Sequence, residues 1–337
     1  MKTSAIDIGL NWSSSELRQA LADAFIGKQP VKIIASTTGS SGILKRVALS
    51  AKTLQLCADL SNSAVGAESG DIWSLLLSTN HIAGLNVLAR SIQLGTETVD
   101  VNQVASFTAI VPTQLHRALT GDSQLLRHLK NCKAVLLGGA AASSSLLESA
   151  EEQGINIVTT YGMTETCGGC VYDNKPLPGV QVKLNSTGLI EIKGPVIADG
   201  YENLNELWKS VVSDGWFTTS DLGEIINGKI FIIGRADDVI ISGGINISLT
   251  AIDSELSESF KSVNFLATSV ADSEWGQKLC LLFDADVDEG AISKILRDKF
   301  GKHFVPKEFL KVSELPRLGI GKPDRVKARQ FFVDEQG

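Results

Sequence analysis

The sequence predicts an α/β protein: a large N-terminal α/β domain carrying a small β subdomain, followed by a smaller α+β C-terminal domain. Three observations predict it. In the first half, short apolar runs break into Ser- or Gly-rich loops, and one of these leads into a helical stretch and a further strand. Between Gly179 and Gly234 apolar and polar residues alternate, the period of half-buried strands. After Arg235 helix and strand patterns mix again. A length of 337 residues suits two domains rather than one or four. The expected boundaries are 1–236, with the β subdomain at about 179–234, and 237–337.

Residues 31–35 form the first apolar run, which breaks into Ser36-Thr37-Thr38-Gly39-Ser40-Ser41-Gly42. A strand feeding such a loop presents backbone N–H groups to phosphate. Residues 134–137 form the next strand, followed by Gly138-Gly139 and a helical stretch at 143–153, started by Ser and stopped by Gly154. Residues 155–158 complete a β-loop-α-β unit of doubly wound type. In the β subdomain, residues 180–184 and 189–192 alternate, and Asn227-Gly228 marks a hairpin within 224–231. The C-terminal pattern reads as a helix at 250–260, strands at 265–270 and 278–283, a helix at 291–300, a strand at 308–312 and a helix from Asp324.

Composition narrows the function classes. Hydrophobic residues at 43% and charged residues at 20% permit a real core and argue against disorder. No apolar run reaches the roughly 18 residues of a membrane helix. Residues 1–12 do not read as a signal peptide. A net charge of −7 argues against a general nucleic-acid binder. Cys57, Cys132, Cys167, Cys170 and Cys280 have irregular spacing and read as reduced thiols. The expectation is a soluble cytoplasmic protein with neither a nucleic-acid nor a membrane partner. Charge is uneven, however. Residues 294–329 carry eleven basic and four acidic side chains, which leaves the rest of the chain at −14. That stretch is either a solvated face or a surface for a small polyanion such as a nucleotide.

Five segments carry chemistry. Thr37, Thr38, Gly39, Ser40, Ser41, Gly42 and Lys45 combine small residues, hydroxyls and an ammonium, which suits phosphate. The two glycines are separated by two residues and Arg46 follows Lys45, so this is not a Walker loop; alone, it could equally be a linker. In the second segment Tyr161 can stack on a base, with Gly162 beside it. There Thr164 can donate to a phosphate, and Glu165 can hold Mg²⁺. In the third, Asp221 is placed to accept from a ribose diol. The fourth runs from Gly234 and Arg235 through Asp237 and Asp238 to Ser242-Gly243-Gly244. The fifth contains Gly319, Gly321 and Lys322.

In this order the five segments resemble the adenylate-forming superfamily of acyl- and aryl-CoA ligases, peptide adenylation domains and luciferases, from about residue 32 to 328. A finer resemblance, carried by residues 80–90 and 161–173, is to the o-succinylbenzoate–CoA ligases in their short actinobacterial-type form. The resemblance implies a two-step ligase using ATP, Mg²⁺ and CoA on a small carboxylic acid, as a monomer or homodimer. It implies a shortened N-terminal domain and a mobile C-terminal one. It also implies roles: Thr37, Thr38, Ser40, Ser41 and Lys45 on pyrophosphate, Gly138, Gly139 and Ala140 along adenine, Thr164 and Glu165 at the α-phosphate and metal, and Asp221 with Arg235 on the ribose. Lys322 would serve adenylation, Asp237 would be the hinge, Ser242 to Gly244 would face CoA, and His81 would lie on the substrate side.

Arg90 is the candidate for the second carboxylate of o-succinylbenzoate, because a charge on the apolar segment 82–89 is expensive unless it serves a ligand. The bland alternative is an arginine that snorkels to solvent. The sequence departs from the superfamily pattern at Leu44, Ser220, Ile245 and Leu249. Tyr201 and Trp216 read as packing in the β subdomain, and Cys167-Gly-Gly-Cys170 lacks the second pair of a zinc site. The competing readings are another acyl- or aryl-CoA ligase, a nucleotide-binding pseudoenzyme, and a thiol-redox protein.

Overall fold

In the computed structural model, which describes residues 5–38, 44–317 and 323–334, the continuous apolar strands form the middle of a sheet covered on both faces. Strands Trp73–Ser74, Phe107–Ile110, Ala134–Leu137, Ile157–Met163, Gly168–Tyr172 and Lys175–Pro176 lie in that order. The first four are parallel, and the last two turn back antiparallel. Alternate residues of one strand enter different cores. Ala134 and Leu136 join Trp73, Leu85, Leu88 and Phe107, while Val135 and Leu137 join Leu115, Leu125 and Leu129. With no face left for water, the strand has no reason to alternate.

The Ser/Gly-rich loop does not lead into a helix. Strand Lys32–Thr38 pairs antiparallel with Leu44–Ser50, Thr37 opposite Lys45, and helix Ala51–Ala64 begins only afterwards. Ser36, Thr37 and Thr38, read as loop from the sequence, continue the strand, because the buried Val47, Ala48 and Leu49 need a strand partner before the chain can turn away. Ala5–Asp7 and Gly200–Tyr201 flank this pair in a four-stranded sheet. Tyr201 therefore belongs here, not to the β subdomain.

The alternating block forms strands Gln181–Leu184, Leu189–Lys193, Trp216–Ile226 and Val212–Ser213 in one sheet, with Lys229–Arg235 paired to Trp216–Ile226. Asn227 and Gly228, at φ +51° and +76°, provide the left-handed turn that joins the last pair. Helix Asn205–Val211 within the block has no counterpart in the sequence reading.

Contacts divide the chain into two units. One comprises the chain up to Ala142, Leu146–Thr219 and Glu224–Phe231; the other comprises Ser143–Ser145, Ser220–Gly223 and the chain from Ile232. In the second unit, strands Ile245–Ser248, Val239–Ser242, Gly276–Phe283 and Phe265–Asp272 form a sheet, with Glu308–Lys311 parallel to Gly276–Phe283. Helices Leu249–Ser259 and Glu289–Phe300 supply Ile252, Leu256, Ile292 and Leu296 to one core. Helix Arg325–Asp334 supplies Ala328 and Phe332 to another, against Leu266, Val270 and Leu282. No helix among the described residues is long and apolar enough to cross a membrane.

One buried polar pair fastens helix Ser123–Asn131 to the first strand of the large sheet. Ser74 Oγ lies 2.7 Å from His128 Nε2, and both residues are buried. Burial lowers the His128 pKa, outweighing the loop carbonyls of Gln103 and Val101 and the charge of Asp100. A histidine that resists protonation when folded binds fewer protons than it does unfolded. Its contribution is therefore complete above the unfolded pKa of about 6.5, and falls as pH drops toward the lower folded value. We expect the parent melting temperature to decline below that pH, and His128→Gln to flatten this part of the profile; an unchanged slope would remove His128 as its source.

Candidate active site

Glycine geometry builds the turn that bears Thr164 and Glu165. Strand Ile157–Met163 bulges between Tyr161 and Gly162, and a Cβ on Gly162 would lie 2.0 Å from the Gly168 carbonyl oxygen. The close approach turns the chain into a single 3₁₀ turn, Thr164–Thr166. Thr166 Oγ1 closes it, accepting from Met163 N at 2.9 Å and donating to Gly168 O at 2.8 Å. Cys167 exits at φ +54°, and Asn86 Nδ2 holds its carbonyl at 2.9 Å. This amide is one of the hydrogen bonds that join sequence segments 80–90 and 161–173.

Glu165 is buried, yet its carboxylate forms no ion pair among the described residues. Oε1 accepts from Tyr201 Oη at 2.7 Å, and the Glu165 carbonyl accepts from Ala198 N at 2.9 Å. Burial, then the Glu165 charge and hydrogen bond, push the Tyr201 phenol well above its ordinary pKa, so it remains a donor. Lys45 Nζ sits 5.2 Å from the centre of the same ring. The structure therefore brings two predicted residues, Lys45 and Glu165, to a third that the sequence reading had assigned to packing. No three His, Cys, Asp or Glu side chains gather as a metal cage among the described residues. A single hard carboxylate fits Mg²⁺ that is held mainly by phosphate oxygens and water.

Gly138 and Gly139 line the exit of strand Ala134–Leu137. A Cβ on Gly138 would lie 2.4 Å from Thr160 Oγ1, Gly139 has φ +83°, and Gly139 and Ala140 are exposed. Thr37 is half-buried at the end of its strand, and Tyr161 is half-buried in the strand before the turn. Gly39, Ser40, Ser41, Gly42 and Lys322 lie outside the described residues, as does the side chain of Thr38.

His81 and Arg90 are not brought together. They stand near opposite ends of helix Ile82–Gln93, about 13 Å apart along its axis. His81 is exposed at the helix start, whereas Arg90 is 5% exposed. The snorkelling alternative fails for Arg90. Its Cζ lies 4.9 Å from the Trp73 ring centre and Nη2 donates to Tyr172 Oη at 3.4 Å, while Nε and Nη1 are buried without a partner. The nearby Cys167 thiol is held well above its ordinary pKa by a hydrogen bond with Cys57 and by burial, the Arg90 charge acting the other way. Cys170 is pushed up to about 12 by burial, and thiols so protonated are poor nucleophiles.

In the second unit Arg235 joins two predicted carboxylates. It grips Asp237 through Nε and Nη2 at 2.8 and 2.9 Å and reaches the buried Asp221 at 3.5 Å. Burial works against its charge, but the bonds and charge of Asp237, then Asp221 and Asp238, raise its pKa overall. Arg325 ties Asp238 at 3.1 Å to Asp253 at 2.8 Å. Asp253 is nonetheless raised to about 6, because burial outweighs the opposing charge of Arg325.

Ser242 is buried, with Gly243 and Gly244 exposed beside it. Gly243, at φ +57°, donates its N–H to the Trp275 carbonyl at 3.0 Å, and a Cβ there would lie 2.8 Å from the Trp275 ring. A cavity of about 300 Å³ next to it is lined by Trp275, Arg297, Lys302, His303, Val305 and Lys307, with Lys307 Nζ 4.3 Å from the indole centre. Arg297, Lys302 and Lys307 form no ion pair among the described residues. The sequence reading found the basic tract but not Trp275, whose only signal is an aromatic at the turn between two strands.

A buried carboxylate at a glycine-bulged turn, with a lysine on the ring that holds it, is an arrangement suited to phosphate and its metal. Residues 32–201 match the AMP-binding enzyme family. The chain belongs to that family. Among its relatives is the probable 2-succinylbenzoate–CoA ligase of Mycobacterium tuberculosis (strain H37Rv), 32% identical over 331 residues that span 90% of this chain and 85% of the relative. The 2-succinylbenzoate–CoA ligase of Escherichia coli (strain K12) is 30% identical, over 87% of this chain and 68% of its own. The fold is similar to o-succinylbenzoate coenzyme A synthetase from Bacillus subtilis solved in complex with its acyl-adenylate intermediate. There the TM-score is 0.78 at 26% identity, covering 88% of this chain and 68% of that one.

Gly162→Ala should remove nucleotide-dependent activity and lower the melting temperature, since the new methyl meets backbone and not a flexible side chain. Overpacking of this kind typically costs about 1–3 kcal/mol. An alanine variant with parental activity would mean that the bulge can open without moving Glu165.

Proposed function

We propose that the protein is an AMP-forming acid–thiol ligase that activates the succinyl carboxylate of o-succinylbenzoate with ATP and transfers it to CoA, in the cytoplasm, for menaquinone biosynthesis. Arg90 carries the choice of acid. A guanidinium that is 5% exposed, with two unpartnered nitrogens in an aromatic and thiol-lined interior, is a costly arrangement without a ligand. The ring carboxylate, which the reaction leaves untouched, is the anion that meets it.

The succinyl carboxylate attacks the α-phosphorus, forming the acyl adenylate and releasing pyrophosphate; the CoA thiol then attacks the acyl carbon and AMP leaves. Both steps call for positioning and charge stabilisation more than for a protein nucleophile. Thr37, Thr38, Ser40, Ser41 and Lys45 donate to the departing pyrophosphate, and Thr164 to the α-phosphate. Gly138, Gly139 and Ala140 let adenine lie against backbone, with Tyr161 and Gly162 beside it. Asp221 accepts from the ribose hydroxyls, backed by Arg235. Lys322 brings a positive charge for adenylation, and the small unit turns about Asp237 between the two steps. Ser242, Gly243 and Gly244 admit the thiol arm, and the basic cavity at Trp275 takes the phosphates of CoA. Mg²⁺ on Glu165 would neutralise phosphate charge.

Pyrophosphate release from ATP, measured with a panel of carboxylic acids, tests the reading. o-Succinylbenzoate should be strongly preferred to the analogue lacking the ring carboxylate, and CoA should then give AMP and a thioester. Equal use of both acids would remove this substrate. Arg90→Met, which keeps the packing and removes an unpaired charge, should leave the melting temperature unchanged or higher. The same variant should raise the KM for o-succinylbenzoate with little change in that for ATP. Losing a buried charge partner costs about 2 kcal/mol or more, roughly a thirtyfold rise in KM. Equal rises for acid and ATP would make Arg90 a structural residue.

A further inference from the structure

Tyr201 stands where two opposite charges of the site come close without pairing. Strand Gly200–Tyr201 pairs antiparallel with Leu44–Ser50, Tyr201 opposite Val47. Lys45 is two residues from Val47 and so on the same face, which makes it the diagonal neighbour of Tyr201. The ring is 2% exposed, with Trp208 edge-on at 5.1 Å and 79°. One face carries the Lys45 ammonium at 5.2 Å from its centre, and the hydroxyl donates to Glu165 Oε1 at 2.7 Å. No other hydrogen bond reaches the Glu165 carboxylate among the described residues.

An ammonium over the face of a ring and a buried carboxylate at its hydroxyl are opposite charges on one side chain, and a flexible lysine could pair with the carboxylate if the phenol were not between them. Such a pair would occupy both the lysine needed by phosphate and the oxygen needed by a metal. The phenol prevents this at both ends. Its ring face offers the lysine a weaker resting place than a carboxylate would, one readily given up to a phosphate. Its hydroxyl commits one carboxylate oxygen and aims the other.

We propose that Tyr201 is a positioning residue that holds Lys45 and Glu165 apart, so that the lysine remains available to the ATP phosphates and Glu165 to the Mg²⁺ they carry. The proposal rests on the adenylating reading above and adds to it a residue that touches neither substrate nor metal.

Tyr201→Phe is the test, because it keeps the ring, its contact with Trp208 and the seat for Lys45, and removes only the hydroxyl. Two readouts are needed: the melting-temperature shift given by ATP with increasing Mg²⁺, and the Mg²⁺ dependence of pyrophosphate release. In the variant the half-saturating Mg²⁺ should rise roughly tenfold in both, as is usual when the partner of a metal ligand is removed. The shift from ATP without metal should persist, and excess Mg²⁺ should restore turnover. Trp208→Phe, which disturbs the packing and spares the hydroxyl, should keep the parental Mg²⁺ dependence. A Tyr201→Phe variant with the parental half-saturation, or one slowed by the same factor at every Mg²⁺ concentration, would overturn the proposal. A parent that shows the Mg²⁺-dependent shift but releases pyrophosphate with no acid would overturn the function proposed above, leaving Tyr201 to be judged on melting alone. A parent with no Mg²⁺-dependent shift would overturn both.

Discussion

Two backbones approach at Gly162 more closely than any side chain allows, and the arrangement of the first unit's chemistry follows from that contact. Because the Gly168 carbonyl occupies the place of a Cβ, strand Ile157–Met163 must bulge and turn within three residues. The turn drops Glu165 into the interior and leaves Thr164 half-buried. Thr166 and Asn86 then lock it with their own hydrogen bonds, so the carboxylate is held by the fold before any ligand arrives. Preorganisation of this kind moves the cost of ordering the site from binding to folding.

The same unit tolerates an electrostatic defect that its packing does nothing to relieve. Arg90 lies on a helix whose neighbouring residues from Gly84 to Ser91 are all buried, and among the described residues only one of its guanidinium nitrogens has a hydrogen-bond partner. Its contact with Trp73 spreads the charge over an indole face without neutralising it. Natural folds break their own rules most often where a ligand completes them.

Much of this was readable in the sequence because it is local. The doubly wound unit at 134–158, the Asn227-Gly228 hairpin and the order of helices and strands after Arg235 each depend on residues a few positions apart. Apart from the short helix Asn205–Val211, the misreadings are non-local. That strand Lys32–Thr38 pairs with Leu44–Ser50 depends on the latter finding Lys32–Thr38 and Gly200–Tyr201 at once. That Tyr201 serves Glu165 depends on a hydrogen bond across 36 residues that no spacing announces. For Arg90 the sequence favours a ligand but leaves a route to water open, and only the burial of its helix closes that route. Hydrophobic period shows which face is buried, but not what a polar group meets there.

The Arg235 fork carries a further consequence. One guanidinium holds Asp237 by two hydrogen bonds and Asp221 by a longer contact, so the two carboxylates compete for the same positive charge. A ligand that engaged Asp221 would draw on the same charge that holds Asp237. By reciprocity, a change at Asp237 that loosened or tightened its grip on Arg235 would shift the affinity of such a ligand. Arg235 thus places the two carboxylates within reach of one shared charge, the shortest route by which one could report on the other.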